Sequence, residues 1–169
     1  MDATTVAEIL AKPIAQELLF SDIPARLSYI GLDGDPRVVP VGFWWTGATF
    51  GIATVVRSAK VAALRKNPRV ALAVDRAGMP PRTLLVRGGV TIEIVDGVPA
   101  EYITAARKIV PDEAMPSWEA GVRALYDEMA VITVTPDHVV LHDFETTMPK
   151  AVADLIAAHG DPRRGRGPT

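Results

Sequence analysis

Residues 55–75, VVRSAKVAALRKNPRVALAVD, set Arg57 and Lys60 around Ser58 at the start of a short helical pattern. Ser58 is a residue type that favours the N-cap. The helix dipole is positive at that end, so two cations there cost a few tenths of a kcal/mol unless an anion sits among them. Free N–H groups of a first turn, the Ser58 hydroxyl and both cations can converge on a phosphate. No Asp or Glu in the first turn competes for that place. The same charges also read as a solvated surface, and on the local residues alone the two readings stand level. Arg65, Lys66 and Arg69 need no special reading, because cations belong at a helix C-terminus.

The chain bounds what such a site can serve. Its 169 residues are enough for one domain with a real core, assigned to residues 1–160, with the polar stretch 161–169 read as a disordered tail. Apolar residues make up 49% and charged residues 22%, ordinary for a globular protein. A net charge of −2 offers no broad basic field for nucleic acid. There is no cysteine, which removes disulfides and thiolate metal sites and suits a reducing, cytoplasmic setting. His138 and His142 lack the helical spacing of a metal pair, so no metal is expected. No apolar run approaches the roughly 20 residues of a membrane span, and Asp2 and Glu8 argue against a signal peptide. No catalytic triad or glycine-rich nucleotide loop is present, so no side chain is nominated as catalytic.

The elements that must position Ser58 and its neighbours are mostly strands. Residues 4–20 carry helical spacing broken at Pro13. ARLSYIG (25–31), PRVVPVGFWW (36–45) and TFGIATVV (49–56) read as three strands of an antiparallel meander, turning at Asp33-Gly34 and Thr46-Gly47. Pro40 makes the second an edge or bent strand. A helix over 58–66 follows, then a strand over 68–75, a loop over 76–82 and a long strand over 83–95. Gly88-Gly89 within that long strand predicts a bulge or sharp bend. Helices over 100–110 and 117–129 fall in an insertion of about 98–129, with Trp118 and Tyr126 read as core. A strand, a turn at Pro136-Asp137 and another strand fill 130–144, and a last helix spans 149–160. Of Trp44 and Trp45, on opposite faces of a strand, one belongs to the core. Six or seven antiparallel strands with bend-making Gly and Pro favour a small barrel with flanking helices.

In this order and spacing, GDPRVVPVGFWW and RSAKVAALRKNPRVALAVD resemble the pyridoxamine 5'-phosphate oxidase-like family of flavin and deazaflavin proteins. The resemblance is close over residues 9–96 and looser at VTPDHVVLHDF. It implies a split β-barrel of the FMN-binding type, a homodimer with cofactor sites at the subunit interface, and either FMN or the deazaflavin coenzyme F-420. It lays the cofactor ring along Arg37, Val38, Val39, Pro40, Val41 and Gly42, and gives the phosphate to Ser58 and Lys60 with Thr54 before them. Arg37 falls on a phosphate-contacting position, and Thr83 where the oxidases place a flavin-contacting glutamine. Ala59 stands where the oxidases keep a second arginine, and Arg57 offers that charge one residue earlier. Gly42 replaces a substrate-contacting lysine, and the Arg-x-His substrate motif after the last strand is missing. The resemblance therefore implies hydride transfer to or from a small organic substrate other than pyridoxamine phosphate. A non-catalytic flavin or haem carrier of the same fold is the alternative, and a cofactor-free interaction module the third reading.

Overall fold

Pro13 divides the N-terminal helical stretch as its missing donor requires. In the computed structural model, which describes residues 1–159, α1 (Ala3–Leu10) is capped by Asp2, whose carboxylate accepts from Thr5 N at 2.9 Å. Helix α2 (Pro13–Leu19) begins on the proline itself, where no donor is needed. The strands are β1 (Ala25–Ile30), β2 (Pro36–Val41), β3 (Trp44–Trp45), β4 (Phe50–Thr54), β5 (Arg69–Arg76), β6 (Arg82–Asp96) and β7 (Glu128–His142). They form one seven-stranded sheet in the order β2-β1-β5-β6-β7-β4-β3, antiparallel throughout. Strands β2 and β3 are its edges, and the barrel is split between them. One core joins the two edges: Val39 and Val41 of β2 pack against the same cluster that holds Trp45 and Phe50. The proposed tail, 161–169, lies outside the described residues.

Two expectations are corrected here. The three N-terminal strands are not a meander. β1 and β2 do pair as a hairpin around Gly34, whose φ of +89° suits glycine. The run 36–45 then breaks at Gly42-Phe43, and β4 pairs with β7 at the far edge of the sheet. Pro40 and Gly42 weaken continued pairing, while Phe43 and Trp45 are buried and carry the chain across the barrel end. The second correction concerns residues 130–144, which hold no turn. β7 runs unbroken through Pro136 because Pro136 lies opposite Gly88, at the register shift between Arg87 and Gly88. A bulge is where a residue without an N–H fits a ladder. A Cβ at Gly88 would run into the Thr135 carbonyl, so the glycine admits the close approach.

Helix α3 (Ala59–Lys66) packs on β1 and β6. Helices α4 (Ala100–Ala106) and α5 (Met115–Leu125) lie between β6 and β7 and share a second small core of Val98, Ile103, Met115 and Met129. Tyr102 and Trp118 stack there with ring centroids 5.8 Å apart, and Tyr126 packs against the same group. After β7, the chain turns at Asp143 toward α6 (Lys150–His159). The Asp143 carboxylate is 2% exposed and accepts from the backbone N–H of Glu145, Thr146 and Thr147 and from the Thr146 hydroxyl, at 2.6–2.9 Å.

Burial alone would raise the Asp143 pKa, but the Thr146 hydroxyl and the three amides outweigh it and hold the carboxyl well below its usual value of 3.8. A depressed carboxylate stabilises the fold above its unfolded pKa and loses that contribution as pH falls through the folded one. Asp143→Ala is therefore expected to cost about 2 kcal/mol at pH 7. The gap to wild type should shrink below about pH 4, read from urea unfolding at a series of pH values. A gap independent of pH would rule the charged turn out.

Candidate cofactor site

Thr54 ends β4 and α3 begins at Ala59, so the four-residue turn between them brings the sequence's candidate anion ligands to one place. Ser58 N donates to Val55 O at 3.0 Å, closing that turn. Ser58 has extended backbone, φ −68° and ψ 145°, and its carbonyl accepts from Val61 N at 3.0 Å, as an N-cap carbonyl should. Its side chain departs from the N-cap role. Ser58 Oγ makes no capping bond, and it is buried with no hydrogen-bond partner among the described residues. An unmade hydrogen bond at a buried hydroxyl costs about 1–3 kcal/mol. The expense has a use if a ligand oxygen completes it.

Lys60 stands beside it. Its Nζ donates to Thr54 Oγ1 at 3.1 Å, tying the helix start to the end of β4. Burial pulls the Lys60 pKa below its ordinary 10.5, and Lys60 has no ion pair with any described residue. Arg57 is exposed and likewise has no ion pair among the described residues. The first turn of α3 contains no acid. An orphaned hydroxyl, unpaired cations and open helix amides fit a phosphate group.

Arg37 reaches this region from β2. It lies opposite Tyr29 and lines, with Gly31, Leu32, Asp33 and Ala59, a cleft of about 250 Å³. Its guanidinium is paired with Asp33 and also donates to Pro36 O at 3.3 Å. Asp33 was not among the sequence candidates, although its i,i+4 spacing across the Gly34 turn was available as a signal. The pairing leaves Arg37 a phosphate ligand only by sharing. Both side chains are well exposed, so the pair itself contributes little stability.

Val38, Val39, Pro40 and Val41 sit on the free edge of the sheet, and Gly42 follows just past its end. β2 pairs only with β1, so alternate backbone amides on its other side face outward. Val38 is 64% exposed, Val39 and Val41 turn toward the core, and, chain neighbours aside, no atom of the described residues lies within 4 Å of where a Cβ on Gly42 would stand. Thr83 is not brought to this cluster within one chain. It lies on β6, opposite Asp75 and His142, three strands away from β2, or about 14 Å by strand spacing. The register does place Val38, Ser28, Ala71, Arg87 and His138 in one row across the sheet. Thr83 shares the outer face of that row.

Trp44 and Trp45 divide as expected in part. Trp45 is buried against Phe50, with ring centroids 4.9 Å apart. Trp44 lies half-buried across the backbone of Gly51, where any Cβ would collide with its indole.

Comparison with known proteins decides the family. The sequence profile of pyridoxamine 5'-phosphate oxidase matches residues 12–142. The chain belongs to the pyridoxamine 5'-phosphate oxidase-like family. That family includes oxidoreductases, and its split barrel recurs in solved structures. An F420 reductase is 28% identical, the match covering 74% of this chain and 94% of that one with a TM-score of 0.59. General stress protein 26 from Bacillus anthracis str. Sterne is 19% identical, over 79% of this chain and 95% of its own, TM-score 0.57. HutZ, a heme storage protein from Vibrio cholerae, is 13% identical, over 77% and 93%, TM-score 0.56. The last two share the fold alone. No curated protein matches the sequence. Among the described residues, no helix is long and apolar enough to cross a membrane.

Proposed function

We propose that this pyridoxamine 5'-phosphate oxidase-like protein binds a phosphorylated flavin-type cofactor and transfers hydride between it and a small organic substrate. Coenzyme F-420 is the first choice and FMN the second. The observation that carries the reading is the Ser58 hydroxyl, buried and without a partner at a helix start that holds Lys60 and no acid. The 28% likeness to an F420 reductase supports the choice of cofactor.

When bound, the cofactor supplies the hydride chemistry itself. The protein's part is to hold and orient. Ser58 Oγ donates to a phosphate oxygen, while Lys60, steadied by Thr54, and Arg57 balance its charge. Arg37 shares its charge between Asp33 and the phosphate. The free edge of β2, Val38 to Gly42, beds the ring and offers backbone amides to it.

A second copy completes the site in this reading. The outer sheet face carries Ile30, Val38 and Leu85, which are 41%, 64% and 40% exposed. Covering that face excludes water and brings a partner's Thr83 row near β2. A reducing cytoplasm suits a chain without cysteine.

Titration with F-420 and with FMN, followed by visible absorbance, tests the proposal. One of them should bind with Kd below about 100 μM, a free energy of about −5.5 kcal/mol. Binding of haemin with neither flavin-type cofactor would move the protein to the carrier class. Binding of none would end the reading.

A further inference from the structure

Arg87, on β6 beside the bulge, reads along the sequence as one more solvated charge. The sheet gives it a different setting. Its cross-strand neighbours are Ala71 on β5 and His138 on β7, and Ser28 continues the same row on β1. Arg87 lines two clefts on this outer face, which share Ser28, Ala71 and Arg87 itself. One, of about 530 Å³, reaches Ile30, Val38 and Arg69. The other, of about 460 Å³, reaches Ala73, Leu85 and Val140. Together they make one trough, because Ser28, Ala71 and Ala73 are small where their neighbours are large. From Ser28 to His138 it crosses three strand spacings, about 14 Å. The charges around it do not balance. The Arg87 side chain makes no ion pair and no hydrogen bond with any described residue. Asp137 feels the Arg87 charge, yet both Asp137 oxygens are taken by Arg69, one of them at 3.2 Å. Two guanidiniums thus share one carboxylate, and the trough keeps a positive surplus among exposed apolar side chains.

We infer that this trough binds an organic carboxylate with a flat apolar body, its carboxylate on Arg87. The planar fork of a guanidinium meets a carboxylate with two parallel hydrogen bonds. The surplus is a single charge, which suits a monoanion, whereas a phosphate is better served where several donors converge at the start of α3. A flat body suits the floor of Ala71 and Ala73, with Leu85 and Val140 on one side and Ile30 and Val38 on the other. A second copy resting on those larger side chains roofs the hollow without filling it. The inference goes beyond the function proposed above and needs neither the cofactor nor the Ser58 site.

Calorimetry of the purified full chain with 2-naphthoate and its uncharged counterpart 2-naphthamide tests the inference. Wild type should bind naphthoate at least about tenfold more tightly, the weight of a charge-assisted hydrogen bond. Arg87→Met keeps an apolar stem, removes the charge and should erase the preference. Ala71→Leu fills the floor without touching the charge and should weaken both ligands by about tenfold. Lys60→Ala, at the other anion site, should keep the preference. Unfolding midpoints close to wild type are expected for Arg87→Met and Ala71→Leu, since both lie on the outer face. Equal binding of the two ligands to wild type, or binding of neither, overturns the inference. So does a preference that survives Arg87→Met, and ultracentrifugation of that variant then shows whether Arg87 holds a second copy instead. Arg87 has no part in the Ser58 cluster, so each of these failures leaves the cofactor reading standing.

Discussion

Lys60→Ala is expected to weaken binding of the phosphorylated cofactor by about 1.5–3 kcal/mol, or roughly 10- to 150-fold in Kd. The same substitution should leave the cofactor-free fold as stable as wild type or slightly more so. Both outcomes follow from where the ammonium sits. Among the described residues its one hydrogen-bond partner is the neutral Thr54 hydroxyl, and burial makes its charged form unfavourable. A lysine whose folded pKa is lowered by burial costs stability at neutral pH, because charging it is harder in the fold than in the open chain. Removing it relieves that cost in the apo protein and removes a phosphate ligand from the holo protein. Melting temperature with and without cofactor separates the two effects. A variant that loses apo stability and keeps cofactor affinity would make Lys60 a structural residue.

Phe50→Ala is expected to cost about 3–5 kcal/mol of stability, the usual range for a buried phenylalanine. Phe50 is fully buried on β4, with Trp45 at 4.9 Å and Phe43 at 5.4 Å between ring centroids, both tilted. These contacts span the split, where β2 and β3 have no backbone pairing to join them. Phe43 follows β2, Trp45 lies on β3, and Phe50 touches both. Losing the central ring thus removes buried area and loosens the contact between the edges at once. Thermal unfolding should show Tm lower by roughly 10 °C or more. A loss under about 1 kcal/mol would mean that the aromatic cluster does not hold the edges together.

Much of this architecture is legible along the chain where a local rule is strong. Pro13 breaks the N-terminal helix, Asp33-Gly34 turns the first hairpin, and Gly88 marks the bulge in β6. Each of these is decided by one or two residues through backbone geometry. Local rules fail where partners distant in sequence decide. Thr46-Gly47 predicts a turn whether β4 returns to β2 or goes on to β7, so the meander and the split barrel look alike locally. Pro136 signals a turn by itself, and only the bulge at Gly88, about fifty residues earlier, lets it remain inside a strand.

The candidate site divides in the same way. Ser58 and Lys60 stood out because their positions conflict with the helix dipole. The orphaned Ser58 hydroxyl adds a fact that no spacing rule supplies. The Asp33 pairing of Arg37 depends on side-chain placement in three dimensions. The family resemblance points to Thr83, which within a single chain lies away from the phosphate cluster.

The central claim is that the start of α3 holds a cofactor phosphate. Its most direct test compares each cofactor with its phosphate-free form, FMN with riboflavin and F-420 with the deazaflavin chromophore lacking the phosphate tail. Affinity is followed by visible absorbance in wild type and in Lys60→Ala. The account predicts that the phosphorylated form of one pair binds wild type at least about tenfold more tightly, and that Lys60→Ala erases most of the difference. Equal binding of the phosphorylated and phosphate-free forms to wild type would contradict it.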